Sequence, residues 1–259
     1  MYKIIIMVFA TLLGAAFGSF ACCQAWRIRL KEEKKKDPGK RSVCLSCGKK
    51  LEWYENVPIV SWLVQRGKCR KCGAKIGKAE ILAEVLGAVS FGLITWKFVG
   101  AVDLLEIDWP SLVAVLAAMV GMLVLAVYDG KWGEMPVGIL LYTIIMGVVY
   151  VVVGMVHGKV EIGSLLGSVA LLAGTYYLLY FFSKEKLVGG GDWMLCLAIG
   201  LLLADWRLAL VELFLSNFLG ALAMLPKRKK KMAFGPFLVI AFVAIFAFAE
   251  ALLSTLYFS

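Results

Sequence analysis

Histidine is almost missing from this chain: His157 is the single one among 259 residues. Hydrolysis by a Ser-His-Asp or Cys-His arrangement needs an imidazole base within reach of its nucleophile, and a lone histidine in a short loop after an apolar run excludes both. No G-x-S-x-G elbow, P-loop or H-E-x-x-H run occurs either. Charge is thin as well, at 18% Asp, Glu, Lys and Arg. Against these shortages stand 61% hydrophobic residues and a mean hydropathy of +0.85, well above the composition of soluble domains. Such a chain uses its length on spans of about 20 residues. The expected fold class is therefore an all-α polytopic membrane protein.

About eight transmembrane helices are expected. The first runs from Ile4 to about Ala25, followed by Ala79–Val99, Pro110–Tyr128, Val137–Val156 and Ile162–Phe182. A short sixth covers Trp193 to about Ala204, a seventh ends near Leu225, and the eighth runs from Met232 to about Tyr257. The first is a span rather than a secretion signal, because only Lys3 precedes it and a dense basic segment follows. Alternating the faces puts both termini outside and 24 of the 28 Lys and Arg inside, including Lys131, Lys184, Lys186 and the Lys227–Lys231 cluster. The acidic stretch from Asp103 to Asp108 falls outside. The sixth span is too short to cross about 30 Å as a straight helix.

The net charge of +10 is concentrated: 16 of the 28 basic residues lie between Arg27 and Lys78, against 5 acids. That density fits a cytoplasmic loop on an anionic inner leaflet better than it fits a nucleic-acid site. Within the loop, Cys44-Leu45-Ser46-Cys47 and Cys69-Arg70-Lys71-Cys72 form two C-x2-C knuckles, each followed by glycine, Gly48 and Gly73. Two-residue spacing aims both thiolates of a knuckle at one tetrahedral ion, and thiols stay reduced on the cytoplasmic side. The expectation is a small zinc-ribbon-like domain over 27–78, between helices 1 and 2. Its structural Zn2+ would be held by Cys44, Cys47, Cys69 and Cys72, and metal binding would supply its folding free energy. The expected domains are 1–26, the first helix; 27–78, the four-cysteine domain; and 79–259, a membrane core. Cys22, Cys23 and Cys196 are expected to pack in the helix bundle.

Two carboxylates stand out in the core. Asp129 closes the third span in Tyr128-Asp129-Gly130, and Asp192 opens the sixth in Gly189-Gly190-Gly191-Asp192. The alternation puts both at the inner membrane surface. Acidic groups near lipid mark functional sites, and a pair of them is the minimal equipment of an aspartic protease. Each also has a plainer explanation at a helix boundary, Asp192 as an N-cap before Trp193. Gly189 and Gly191 would let backbone amides approach a substrate. Glu84, at similar depth in the second span, would orient the site or make a helix–helix hydrogen bond.

The order of these segments is that of a known family. Arg41 to Gly48, Trp53 to Trp62 and Arg66 to Cys72 closely resemble the cytoplasmic domain of prepilin peptidases, the type IV leader peptidases. Gly18-Ser19-Phe20 followed by Arg27 resembles that family's first-helix motif. Asp129 with Pro136 seven residues on, and Gly189-Gly190-Gly191-Asp192, resemble its two catalytic segments, the second being the G-x-G-D pattern of presenilin-like proteases. The resemblance implies an aspartic endopeptidase of the bacterial cytoplasmic membrane with Asp129 and Asp192 catalytic. It would cleave prepilins and pseudopilins after the glycine that precedes their hydrophobic helix. Many members then methylate the new N-terminus with S-adenosylmethionine. Gly67 and Lys68, in the Gly-Lys-Cys run that the family shares, become candidates for contact with that donor. The chain departs from the family at Met194, where Lys is common, and at Cys22, where Asn is usual.

Two other classes accommodate the same residues. An ion-coupled transporter also places carboxylates at helix breaks, but it predicts an internal repeat, and none is visible. A membrane-tethered zinc-ribbon adaptor without enzymatic activity predicts that both aspartates are dispensable.

Overall fold

Thirty-one consecutive residues, Tyr2–Glu32, form the first helix, α1, which continues two turns past the expected end of the apolar run before its basic last turn of Arg29 and Lys31. A computed structural model describes residues 2–34, 42–100, 103–184, 188–225 and 233–257. Arg41, Lys186 and the Lys227–Lys231 cluster, which entered the topology and family arguments, lie outside the described residues. So does the rest of 35–41 in the basic segment.

The chain divides into two compact units, residues 1–92 and 93–259. In the first, α1 packs against the start of α3 (Lys78–Val99) through small residues. Any side chain on Gly14 would strike the Gly87 backbone and Phe91, and any on Gly18 would strike the Ala83 backbone. The Gly14-x3-Gly18 pair thus lets two helices touch backbone to backbone, the close approach by which membrane helices gain packing energy without a hydrophobic driving force. Phe17 and Phe91 stack beside this seam, with centroids 5.6 Å apart. Between α1 and α3 sits the four-cysteine lobe, with one 3₁₀ turn (Trp53–Asn56) and a five-residue helix, α2 (Val60–Val64).

The second unit is helical among its described residues: α4 (Trp109–Trp132), α5 (Val137–Val156), α6 (Ile162–Val169), a π-helical turn (Ala170–Gly174), α7 (Thr175–Ser183), α8 (Gly190–Leu203), α9 (Trp206–Met224), α10 (Gly235–Ala247) and α11 (Ala249–Tyr257). Helix α4 is its centre. Of its most apolar window 72% is buried, against 28% for α5, for the α6–α7 span and for α9, so α4 faces protein while the others turn much of their apolar surface outward. Helices α5 and α10 flank it, and α8 packs on α5, α6 and the π turn.

Six helices among the described residues are long and apolar enough to cross a membrane, or seven if α10 and α11, bent by 73° at Phe248, count as one span. Helix α8, at 14 residues, is the short eighth. The all-helical membrane architecture with a four-cysteine lobe after the first helix holds. Two further boundaries differ from expectation. Helix α4 runs one turn further, through Asp129 to Trp132, because Gly133 (φ 70°) closes it by donating its N–H to the Asp129 carbonyl at 2.7 Å. Helix α8 begins at Gly190, so two of the three glycines lie in its first turn rather than in a loop.

At the far end of α4, Asp108 is the N-cap and accepts from the Ser111 N–H and hydroxyl. It also binds Lys159 at 2.8 Å, and His157 Nδ1 lies 3.3 Å away. His157 therefore belongs to a polar cluster around Asp108 that ties the end of α5 to the start of α4, where the sequence suggested only a loop residue. Burial alone would raise the Asp108 carboxyl. The Lys159 ammonium and the Ser111 donors outweigh it and hold that carboxyl down at about 2.

Candidate active site and metal centre

Asp129 is buried in the last turn of α4. Its Oδ2 accepts the N–H of Gly235 at 2.7 Å. Gly235 is the first residue of α10, with Pro236 fixing the next position, so the carboxylate satisfies an orphan donor at the positive end of a helix. The contact depends on a missing side chain: a Cβ on Gly235 would stand 3.0 Å from Asp129 Oδ2 and 2.7 Å from the Met135 methyl.

Asp192 is the third residue of α8, and its Oδ2 accepts the Gly189 N–H at 2.9 Å. Gly189 is the N-cap and Asp192 reaches back to it, an arrangement in which the carboxylate fastens the helix start instead of capping it. Backbone freedom does not explain the three glycines, since none of them has a positive φ. Space explains one: a Cβ on Gly191 would meet the Met135 Cβ at 2.6 Å, whereas Gly190 has ordinary room beside Tyr180. Met135, in the short turn between α4 and α5, thus touches both Gly191 of α8 and Gly235 of α10. It wedges the two helix starts that carry Asp192 and hold Asp129. The two carboxyls lie within electrostatic reach of each other. Trp193 packs edge-on against Tyr177 at 5.5 Å, and Trp132 against Tyr128 at 4.6 Å. Nothing in the sequence singled out Met135 or Gly235; the one available signal is Gly-Pro opening an apolar run.

Deeper in this unit, Asn217 donates to the Tyr176 hydroxyl at 2.9 Å, an interhelical bond between α9 and α7. Glu212 lies on the same helix α9. It is fully buried, and neither carboxyl oxygen has a hydrogen-bond partner among the described residues.

In the first unit the two cysteine knuckles are built alike. Cys44 N–H donates to the Lys49 carbonyl and Gly48 N–H to that of Cys44; Cys69 donates to Ala74 and Gly73 to Cys69. Each turn passes through a left-handed glycine, Gly48 at φ 67° and Gly73 at φ 71°, and each is closed by an antiparallel bridge, Val43 with Lys50 and Lys68 with Lys75. The four Sγ atoms lie within 4.8 Å of one another, with Cys44 and Cys72 at 3.8 Å. Four thiolates about 2.3 Å from a tetrahedral ion stand roughly 3.8 Å apart, so the quartet can hold one metal ion. Backbone N–H groups of Cys72 and Lys71 draw the Cys69 thiol down to about 6, which favours the thiolate that a metal needs. Against the pull of the Ala74 N–H, the remaining influences push the linked Cys72 up to about 11. The lobe is braced beside it by buried Glu55, which accepts from Lys49 at 2.8 Å and from the Glu52 N–H.

Glu84, also in the first unit, is buried in α3 and accepts the backbone N–H of Ile59 at 2.7 Å. Ile59 has φ 62° and ψ −54°, a conformation that a β-branched residue adopts only under constraint, at a cost of about 1–3 kcal/mol. Glu84 is thus the group that pins the turn before α2. Gly67 has φ 63°, and a Cβ there would lie 2.8 Å from the Trp62 ring. Lys68 takes part through its backbone, in the bridge to Lys75.

A family model, Bacterial Peptidase A24 N-terminal domain, matches residues 12–98. The Prepilin leader peptidase/N-methyltransferase of Neisseria gonorrhoeae is 31% identical over 215 residues, covering 79% of this chain and 70% of the relative. The chain belongs to the prepilin leader peptidase/N-methyltransferase family. Relatives of the same name in Vibrio cholerae and Aeromonas hydrophila are 28% and 30% identical, the first covering 80% of both chains and the second 78% of this one and 69% of itself. No solved structure matches the chain. This family is one of enzymes, so the adaptor class is left behind, and the family name joins two activities.

Proposed function

We propose that this family member is an aspartic endopeptidase of the bacterial cytoplasmic membrane. It removes the leader of type IV prepilins and pseudopilins by cutting after glycine, and Asp129 and Asp192 are its catalytic pair. The observation that supports this most is that two carboxyls from separate helices lie within electrostatic reach of each other. Each is tied by one oxygen to a backbone N–H at a helix start, and Gly191 and Gly235 at those two helix starts both lie against Met135. In this mechanism the two carboxyls share a proton. The ionised one takes a proton from water as that water attacks the scissile carbonyl, and the protonated one donates to the carbonyl oxygen. Gly191 and Gly235 matter here through space: Gly235 lets the start of α10 come within contact of Asp129, and Gly191 leaves room for Met135. The active side faces the cytoplasm, where the basic 27–78 segment lies along an anionic leaflet, and both termini lie outside.

The cysteine quartet holds a structural Zn2+ in this reading. Four thiolates leave the ion no open position, so its contribution is the folding of the 27–78 domain. The second activity in the family name requires S-adenosylmethionine, which supplies an electrophilic methyl group for the new N-terminal amine.

The test is mass spectrometry of a prepilin peptide incubated with the full chain in detergent, beside Asp129→Asn and Asp192→Asn. Loss of the leader after glycine only when both aspartates are present is expected. Cleavage that persists in either variant removes the dyad. An uncleaved peptide with metal-loaded wild type favours the ion-coupled transporter instead.

A further inference from the structure

Of the nine residues of α7, Tyr176 alone is buried. Leu178, Leu179, Phe181 and Phe182 of the same helix turn outward. Packing by itself gives no reason to spend the one inward position on a phenol. Tyrosines of membrane helices collect at the interfaces, where the hydroxyl meets water, and a buried hydroxyl must be answered by protein. Here Asn217 of α9 answers it, donating Nδ2 at 2.9 Å, and Ser216 of the same helix stands beside it. Helix α7 follows directly on the π-helical turn Ala170–Gly174. A π turn holds more residues than an α turn and so re-aims the faces that follow it, and such turns recur at functional sites.

The ring of Tyr176 packs on Phe234, with centroids 5.8 Å apart, and Phe234 is the N-cap of α10. The Phe234 carbonyl accepts from Phe237 at 3.0 Å and from Leu238 at 3.3 Å, so where Phe234 sits, the helix starts. Its side chain offers α10 no capping hydrogen bond, and the start of the helix is held by what touches Phe234 and Gly235. Gly235 donates its N–H to Asp129 at 2.7 Å, and the N–H of Phe234 bears on the same carboxyl. Resting on the peptidase reading above, we propose that Tyr176 is a positioning residue for cleavage: its ring clamps Phe234 and thereby keeps the N–H groups at the start of α10 on Asp129.

The chain of contacts is continuous. Asn217 fixes the phenol, the phenol ring fixes Phe234, and the backbone of Phe234 and Gly235 fixes the carboxyl. Three helices, α9, α7 and α10, thus act on a carboxylate that belongs to a fourth, α4. Without the ring the start of α10 is free to shift, and a displacement of about 1 Å at a catalytic group lowers the rate roughly 10²-fold. Tyr176 is 2% exposed, too deep to touch a substrate, so its loss falls on kcat and spares KM.

Steady-state cleavage of a prepilin peptide by the full chain in detergent tests the assignment, with thermal unfolding followed on the same samples. Tyr176→Leu is expected to lower kcat roughly 10²-fold with KM unchanged. Tyr176→Phe keeps the ring and gives up the Asn217 bond, so its loss should stay within about fivefold. Phe234→Leu should match Tyr176→Leu, and the double variant should be no worse than either, because residues that act through one contact are not additive. Phe182→Leu, on the outward face of α7, is the control and should cleave as wild type does. Wild-type kcat in Tyr176→Leu overturns the proposal, as do equal losses in Tyr176→Leu and Tyr176→Phe, or losses that multiply in the double variant. Should Tyr176→Leu fail to fold, Phe234→Leu decides, and wild-type kcat there overturns the proposal just as well. Asp129→Asn separates this inference from the reading beneath it. Full cleavage by that variant removes the peptidase assignment and the positioning role together, whereas an inactive Asp129→Asn beside a fully active Tyr176→Leu removes the positioning role alone.

Discussion

The four-cysteine lobe and the carboxylate pair are built in opposite ways. All four sulfurs come from two copies of one local turn, each closed by the same pair of backbone hydrogen bonds and the same left-handed glycine. Asp129 and Asp192 lie 63 positions apart on different helices. Each takes its donor from a helix start, Gly235 for the first and Gly189 for the second. Repetition along the chain builds the metal centre, whereas packing across the chain builds the carboxylate site. The lobe should therefore fail as a unit when its ion is lost, and the pair should fail by small displacements of whole helices.

Metal removal is the largest test of that contrast. A tetrathiolate site contributes on the order of 10 kcal/mol to the folding of a small domain. A strong chelator, or Cys69→Ser, is expected to release the ion and unfold the lobe. Fluorescence of Trp53 and Trp62 would report it, while far-UV circular dichroism keeps the helical signal of the membrane bundle. A lobe that keeps its protease resistance after verified metal loss breaks the comparison.

The dyad comes next. Asp129→Asn and Asp192→Asn are each expected to lower the rate of cleavage by about 10²–10⁴-fold, with zinc content unchanged. A variant that loses zinc along with activity would show that the two regions are not separable.

Glycine-to-alanine changes at Gly191 and Gly235 sharpen the comparison from the side of packing. Each new methyl meets Met135, and at Gly235 also Asp129, so overpacking should cost about 1–3 kcal/mol. A displacement of about 1 Å at the carboxylates can lower activity roughly 10²-fold. Met135→Ala in the same background should recover part of the loss at Gly191. Gly190→Ala, with ordinary room beside Tyr180, should stay close to wild type in a cleavage assay.

The smallest effect belongs to Asp108. Its carboxyl sits near 2 in the fold against an ordinary value of 3.8, so its stabilising contribution is complete above pH 3.8. It is lost as pH falls through 2, where the folded state takes up the proton. Asp108→Asn keeps a capping oxygen and loses the pairing with exposed Lys159, so it should cost no more than about 1 kcal/mol in thermal unfolding at pH 7. The difference from wild type should vanish in acid.

Much of this protein could be read without coordinates. Hydropathy marks the spans because a helix in lipid must be apolar along its whole length, and the doubled C-x2-C-G marks the metal centre because its geometry is local. The order of motifs pointed to the family. Helix ends were less legible: Gly133 rather than Gly130 stops α4, and α8 starts inside the glycine run. Composition is the same on either side of both boundaries, and the caps that decide them depend on which carbonyl a left-handed glycine can reach.

The sequence by itself determined the class of molecule and the four cysteines that can hold a metal ion, through hydropathy and C-x2-C spacing, while the two acids proposed as catalytic stand out through the order of the family's motifs. Tertiary structure alone decided that Met135 and Gly235 belong with those acids, that Glu84 holds a strained Ile59, and that the Trp62 N–H is buried without an acceptor among the described residues. Those facts depend on where separate helices come into contact, and contact between distant segments leaves no periodicity in one chain.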